Sequence, residues 1–220
     1  MTAIIFDTET TGTEDPGLVE AAWMRVSDPY DMRENGTFRS LYNPGKPILL
    51  GAMATHHITD EDVADQDPAS TFSLPSGVEY LIGHNIDFDW QVIGSPPVKR
   101  ICTLALARQY WPTLDSHTLG ALLYYCVMKE ARDRLSKAHS ALVDVQNTFV
   151  VMDRLLDAIG VVEATTWETI WHLSEQARAP KFMPFGKHKG SAIADMPRDY
   201  KRWLLDQPNV DPYLAQALKK

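Results

Sequence analysis

An α/β fold, with helices packed on a mixed sheet and a small basic segment at the C-terminus, is predicted by three features of this 220-residue chain. Strand-like segments crowd its first part and then alternate with helical ones, the order expected of a mixed sheet with helices on it. One stretch, 141–159, carries apolar residues at spacings of three and four, the stripe of a core-facing helix. The charge also reverses along the chain. Residues 1–177 hold 12 Lys/Arg against 25 Asp/Glu, whereas residues 178–220 hold 9 against 4.

The elements follow in order. Ala3-Ile4-Ile5-Phe6 is an apolar run that starts a short buried strand, closed by a turn at Gly12. Residues 18–26 and 38–42 have the β-branched, aromatic and apolar content of strands. Asp28-Pro29 and Asn35-Gly36 between them are turn signals for antiparallel neighbours. Asn43-Pro44-Gly45 and Pro47 open a loop. Thr59 is placed to cap a short helix whose first turn holds Asp60, Glu61 and Asp62, where the helix dipole favours negative charge. Residues 65–77 are polar and broken by proline, hence a loop. Tyr80-Leu81-Ile82-Gly83 is a second buried strand.

Three helices are then predicted over 89–93, 104–110 and 119–128, the second stopped by Pro112. The clearest spans 141–159, where Leu142, Val145, Phe149, Met152, Leu156 and Ile159 form the stripe and Gly160 ends it. Trp167 and Trp171, four apart on a further helix, read as packing residues. A break follows at Ala179-Pro180. Beyond it lie Phe182-Met183-Pro184-Phe185-Gly186-Lys187-His188-Lys189-Gly190 and an amphipathic stretch at 200–205.

Composition sets bounds. With 45% hydrophobic and 23% charged residues, the chain is an ordinary globular protein large enough for one sizeable core. Two cysteines without a Cys-x-x-Cys pair argue against a disulfide scaffold or a zinc site and fit a reducing compartment. The longest nearly apolar run, 119–128, is too short for a bilayer, and no charged-then-apolar leader opens the chain. A cytoplasmic protein is the expectation.

The chemistry is carried by acids. On a strand, Asp7 and Glu9 project to one side, about 7 Å apart. Two carboxylates there repel unless a cation lies between them, and hard oxygen ligands suit magnesium or manganese. Further acids return in His84-Asn85-Ile86-Asp87-Phe88-Asp89, after the second strand, and in His139-Ser140-Ala141-Leu142-Val143-Asp144. Asp144 falls between apolar stripe positions, where an ionised carboxylate is costly unless paired or bound to metal. His139 stands five residues earlier, roughly 140° away on a continuous helix, so the two share a site only if His139 lies on the entering loop. There its near-neutral pKa suits a general base. Asp87 and Asp89 compete for one role. Asp115-Ser116-His117 cannot chain as a hydrolase triad, because consecutive residues cannot line up as nucleophile, base and orienter. Asp115 or Ser116 as a helix cap accounts for it.

Taken together, Phe6-Asp7-Thr8-Glu9-Thr10-Thr11-Gly12, His84-Asn85-x-x-Phe88-Asp89 and His139-x-Ala141-x-x-Asp144 resemble the three ordered motifs of the His-type DEDD superfamily of 3′→5′ exonucleases. That group includes polymerase proofreading subunits, ribonuclease T and oligoribonucleases. Residues 52–59 are similar to the family's segment ending His-Gly-Ile-Thr, with His57 in place of the glycine. Residues 101–112 and 185–204 are similar to the exodeoxyribonuclease X group. The resemblance implies a ribonuclease H-like mixed five-stranded sheet flanked by helices. It divides the chain into an exonuclease domain at 1–160 and a helical, basic extension at 161–220 that contacts DNA.

It also implies roles. Asp7, Glu9, Asp89 and Asp144 hold two Mg²⁺ ions, with Mn²⁺ as a substitute, and His139 takes the proton of the attacking water. Of the pair left open above, the Phe-Asp order of the motif favours Asp89. Thr8, Thr10, Thr11, Gly12, His56, Asn85 and Phe88 bind the terminal nucleotide. The charge reversal, apart from the resemblance, points to Lys187 and Lys189, bracketed by Gly186 and Gly190, as contacts to the DNA backbone. The expected activity is 3′→5′ hydrolysis of DNA, single-stranded or at duplex 3′ ends, to nucleoside 5′-monophosphates in DNA repair. An exoribonuclease of the ribonuclease T kind and a non-catalytic nucleic-acid-binding protein are the alternatives.

Overall fold

The structure, a computed structural model, describes residues 2–136, 140–183, 185–208 and 210–219. Its strands are β1 (Thr2–Thr10), β2 (Leu18–Val26), β3 (Glu34–Leu41), β4 (Val78–Gly83) and β5 (Lys99–Cys102). They form one sheet in the order β3-β2-β1-β4-β5. β1 is antiparallel to β2 and parallel to β4, and β5 continues the parallel half. The helices are α1 (Leu50–His56), α2 (Asp60–Val63), α3 (Asp87–Val92), α4 (Thr103–Tyr110), α5 (Leu119–Leu135), α6 (Ala141–Ile159), α7 (Trp167–Arg178), α8 (Arg198–Leu205) and α9 (Pro212–Leu218). Among the described residues, no helix is long and apolar enough to cross a membrane.

The central strand β1 is buried on both faces, and its period-two alternation sorts residues between two cores. Ala3 and Ile5 join the larger core with Val145, Met152 and Leu156 of α6, while Ile4 and Phe6 join the second core with Leu81 and Ile86. Asp7 and Glu9 continue the Ala3–Ile5 row, so they emerge on the side where α6 crosses β1 and β2. Gly83 ends β4 beside β1. A Cβ there would lie 2.9 Å from the Phe6 carbonyl oxygen and 2.6 Å from Ile86 Cδ1, so only glycine lets the chain turn into α3 at this point.

Several expectations shift. Asn35-Gly36 is not the hairpin turn. The turn lies at 27–33, where Asp28 Oδ1 accepts from the Tyr30 and Asp31 N–H groups. Asn35 and Gly36 sit inside β3 at a register irregularity opposite residues 24–26, and Gly36 takes φ +91°, the form of a β-bulge. Helix α5 runs past the expected end at 128, but its backbone breaks near that point, at Val127. Its cap is Thr118, whose hydroxyl accepts from the Ala121 N–H, rather than Asp115 or Ser116. His117 Nε2 lies 3.0 Å from the Trp111 carbonyl oxygen, so no triad forms. Thr59 does cap α2, in a reciprocal box with Asp62. The sequence signals given above do not announce α1, β5 or α9.

α7 falls within the expected 161–220 extension, yet it packs on α4 and β5, and its Trp167 and Ile170 lie in the larger core. Trp171 packs against that core as well, under the Lys99 ammonium. From residue 181 on, Met183, Ile193, Met196, Leu204, Leu214 and Leu218 form a small core of their own. Arg178 ties this module to the body. Its side chain is 3% exposed, pairs with Asp87 at the start of α3, and donates to the Arg100 carbonyl and to Tyr213 Oη of α9. Asp87→Ala leaves that buried guanidinium with Glu175 as its remaining carboxylate partner. It is expected to cost about 3 kcal/mol, the range for breaking a buried ion pair, read as a fall in the denaturant midpoint.

Candidate active site

Three elements meet at the C-terminal end of β1. The strand itself supplies Asp7 and Glu9, the first turn of α6 supplies Asp144, and α3, entered from the parallel neighbour β4, supplies Asp89. One carboxylate oxygen from each of Asp7, Glu9 and Asp144 lies within 4.8 Å of the other two. Asp89 sits deeper, 5% exposed, and its Oδ1 accepts from the Thr8 backbone N–H at 3.0 Å and from Thr8 Oγ1 at 2.7 Å. Asp87 is turned away onto Arg100 and Arg178. Of the two competing acids, Asp89 thus faces Thr8 on β1 and Asp87 faces two arginines, and Arg178, counted with the basic tail, is an interior residue.

Like charges in a partly dry space shift each other's titration. Burial, then Asp89, Asp144, Glu9 and Glu20, hold the Asp7 carboxyl well above its ordinary range. Burial, then Asp144, Glu20 and Asp89, raise Glu9 to about 8. Burial raises Asp89 to about 7 against the opposing hydrogen bonds from Thr8. Carboxylates bound to one Mg²⁺ sit about 2.0–2.1 Å from it, hence within about 4 Å of one another, so small side-chain rotations bring the three oxygens onto one ion. The donor set is all oxygen and anionic, and it fits a hard divalent cation.

The shifts predict a pH dependence for the metal-free protein. A carboxyl whose folded pKa is raised binds more protons folded than unfolded, so its contribution is full below the unfolded pKa and is lost as pH rises through the folded one. For Glu9 that window runs from 4.5 to about 8, and for Asp89 from 3.8 to about 7. The thermal midpoint in a chelator should therefore fall between pH 5 and pH 8, and added Mg²⁺ should raise it more at pH 8 than at pH 5. A flat profile in chelator would contradict this charge cluster.

Glu20 supports the cluster, and no motif in the sequence points to it. It faces Glu9 across the β1–β2 ladder, is fully buried, pairs with Arg39, and accepts the Ala141 N–H at 2.7 Å. It thus anchors the start of α6 three residues before Asp144 and two after His139. Asn147, buried one turn on, directs its amide at Asp144 Oδ1 at 3.4 Å. His139, the expected base, lies outside the described residues.

A groove of about 440 Å³ opens beside the acids, lined by Thr8, Glu9, Thr10, Gly12, Leu49, Thr55, His56 and Phe88 among others. Of the residues expected to bind a nucleotide, Thr8, Thr10, Gly12, His56 and Phe88 are thus together. The Thr8 hydroxyl, however, is engaged by Asp89. His56 Nδ1 accepts from the Ile58 N–H at 3.0 Å and Nε2 lies 3.2 Å from the Thr10 carbonyl oxygen, which fixes a neutral ring protonated at Nε2. Gly12 takes φ +155°, a backbone form that L side chains rarely adopt, and a Cβ there would meet the end of the exposed Leu49 side chain at 2.7 Å. His57, in place of the family's glycine, adopts φ +60° at the end of α1.

Others lie elsewhere. Thr11 is 3% exposed and its hydroxyl accepts from the Gly17 N–H, which closes the loop after β1. Asn85 is an exposed turn residue at φ +68°, outside the groove lining. Lys187 and Lys189 are exposed on the 186–190 turn of the C-terminal module. Leu49 and Thr55 are groove residues that the sequence motifs do not single out. A second concavity, about 520 Å³, lies at the opposite end of β1 around Thr2, Arg25 and Trp167 and holds none of these acids.

Comparison with known proteins agrees with this geometry. Residues 4–152 match the family described as Exonuclease, and residues 173–218 match one described as a putative quorum-sensing-regulated virulence factor. Over 98% of its length the chain is 31% identical to Exodeoxyribonuclease 10 of Escherichia coli (strain K12), covering 96% of that protein. It is 29% identical, over 77% of its length, to a DNA polymerase III subunit epsilon-like protein of Rhodobacter capsulatus, of which it covers 26%. Among solved structures, Exonuclease X in complex with 5′ overhanging duplex DNA superposes with a TM-score of 0.61 and 30% identity, over 76% of this chain and 99% of that one.

Proposed function

The chain belongs to the Exonuclease family, and from that premise we propose that it is a divalent-metal-dependent 3′→5′ exodeoxyribonuclease. It hydrolyses the terminal phosphodiester of DNA and releases nucleoside 5′-monophosphates. The observation that carries the reading is the meeting of Asp7, Glu9 and Asp144 oxygens within 4.8 Å, with Glu9 also lining a groove of about 440 Å³ and Asp89 close by.

In this reading Asp7, Glu9, Asp89 and Asp144 hold two Mg²⁺ ions, for which Mn²⁺ substitutes. The ions, when bound, supply Lewis-acid polarisation and neutralise charge on the attacking and leaving oxygens. The chain's own residues do the rest. Asp89 is fixed by Thr8, and Asp144 is held by Asn147 and by the Glu20 anchor of α6. Phe88 and Leu49 offer apolar surface to the last base, a contact that tolerates any sequence. Thr10, Gly12 and the neutral His56 shape the polar side of the groove. His139 accepts the proton of the water that attacks phosphorus, the bond from phosphorus to the 3′ oxygen breaks, and that oxygen takes a proton from solvent as it leaves. Cys102 and Cys126 are free thiols, in keeping with a reducing cytoplasmic place, and a role in DNA repair is inferred from the DNA reading alone.

The test is degradation of labelled single- and double-stranded DNA and RNA, each with one end blocked. A bulky 3′ block should stop the reaction and a 5′ block should not, with 5′-mononucleotides as product. Internal cuts or 3′-phosphate products would reject the mechanism, and preference for RNA would reassign the substrate.

We assign the extension, read as 161–220, its DNA contacts from residue 181 onward. Removal of one lysine–phosphate pair should lower the salt slope of binding by about 0.7–0.9. Lys187→Ala with Lys189→Ala should therefore raise KM and flatten the salt dependence while kcat at saturation is nearly unchanged. Equal losses on a dinucleotide and a long duplex would mean that these lysines support the fold instead.

A further inference from the structure

The C-terminal module carries a row of rings at the edge of its small core. His188 stacks edge-on against Tyr200 with centroids 4.5 Å apart, and Tyr200 lies 5.4 Å from Trp203. Tyr200 leans partly on the small core, but Trp203 is 54% exposed. Phe185, at the start of the same turn as His188, is 49% exposed. Apolar rings on a surface cost solubility unless something covers them.

Charge narrows what that is. Residues 181–220 hold eight Lys/Arg and four Asp, a balance of +4, against −12 for residues 1–180. Lys187 and Lys189 flank His188 and are exposed, and Arg198 and Arg202 are exposed on α8 with Trp203. Asp195, Asp199 and Asp206 are the nearby acids in sequence. Rings interleaved with cations, on a body that otherwise repels polyanions, suit a nucleic acid more than an acidic or apolar protein surface. Base pairing and stacking hide the faces of duplex bases, so a ring row is of use to unpaired bases.

The module also has a fixed seat. Arg178 joins Tyr213 of α9 to Asp87 at the start of α3, the helix that carries Asp89, and Lys181 donates to Gln109 at 3.1 Å.

We propose that His188, Tyr200 and Trp203 form a base-stacking surface that holds single-stranded DNA while the groove at Asp7, Glu9 and Asp144 works on the 3′ end. It rests on the DNA reading above and deepens it, since the lysines alone would serve duplex and single strand alike. The surface lets the enzyme keep a strand between cuts and favours substrates with an unpaired stretch.

The test is binding of the full-length protein to labelled oligothymidine of 4, 8, 16 and 24 nucleotides and to a 16-base-pair duplex. It is done in EDTA, where no cation offsets the acid cluster and the module carries more of the affinity. Trp203→Ala should raise Kd for the longest single strands about 10-fold. It should leave the 4-mer and the duplex unchanged and keep the salt slope, because no charge is lost. Trp203→Phe should recover most of the affinity. The same variant should hydrolyse a trinucleotide at the parental rate, so a failure here is separable from failure of the exonuclease reading. Unchanged affinity at every length, or equal loss on duplex and single strand, overturns the proposal. So does a change in oligomeric state with DNA affinity intact, which would give the face to a second copy of the chain.

Discussion

Asp7→Asn is expected to reduce turnover to background while the protein stays folded. The side chain keeps its shape and loses its charge, and an amide oxygen is a poor substitute where a dication must be held. The fold does not depend on that charge. Burial and four carboxylate neighbours already oppose ionisation of Asp7, so in the metal-free protein the substitution removes repulsion. Two readouts follow. In chelator at pH 8 the variant's thermal midpoint should equal or exceed that of the parent. Added Mg²⁺, which should raise the parental midpoint by mass action, should do little for the variant. Asp144→Asn should behave alike, since its oxygen belongs to the same trio. An active Asp7→Asn protein with undiminished response to Mg²⁺ would end the metal reading of this cluster.

Much of that cluster is legible in the amino-acid sequence, for reasons of period. Asp7 and Glu9 follow two apolar residues of a strand that faces the larger core, so the two-residue repeat that buries Ala3 and Ile5 also aligns the acids. Asp144 interrupts a helical stripe, which marks it as inward-facing. Residues whose meaning depends on a partner far along the chain are not legible in this way. Glu20 looks like one charge in an apolar strand, and its partner Ala141 is 121 residues away. The choice between Asp87 and Asp89 turns on Thr8 and Arg178. A signal for Arg178 does exist. The buried residues of α7 are Trp167, Ile170, Ser174 and Arg178, a helical stripe on which the arginine falls.

The elements absent from the sequence-based expectation have local reasons as well. Helix α1 begins with Leu50, 82% exposed, and Gly51, so no apolar stripe announces it. β5 is a four-residue edge strand that opens with Lys99 and Arg100, the charged composition that guards sheet edges. α9 is different, because Asp211 caps it and Pro212 opens it, a start signal that is present in the sequence. The Asn35-Gly36 pair misleads because the same residues that make tight turns also make bulges, and only pairing with β2 tells the two apart.

His139→Ala is expected to lower kcat by roughly 10²–10⁴-fold, the range for loss of a general base, with a smaller change in KM. Glu20 and Asn147 fix the first turn of α6, and the chain enters that turn from His139, two residues ahead of the anchored Ala141 N–H. A base acts in its neutral form, so the parental rate should rise with pH through the ordinary His range, near about 6.5, and the variant should lose that limb. Glu9 and Asp89 titrate close by, at about 8 and about 7 in the metal-free protein, and could produce a rising limb of their own. Cation concentration separates the two sources. Protons on the acids compete directly with Mg²⁺, so a limb that belongs to them moves to lower pH as Mg²⁺ increases. A limb that belongs to His139 should stay nearly in place once the site is saturated. If His139→Ala keeps the saturated limb, proton transfer belongs to another group, and the histidine's part is confined to binding.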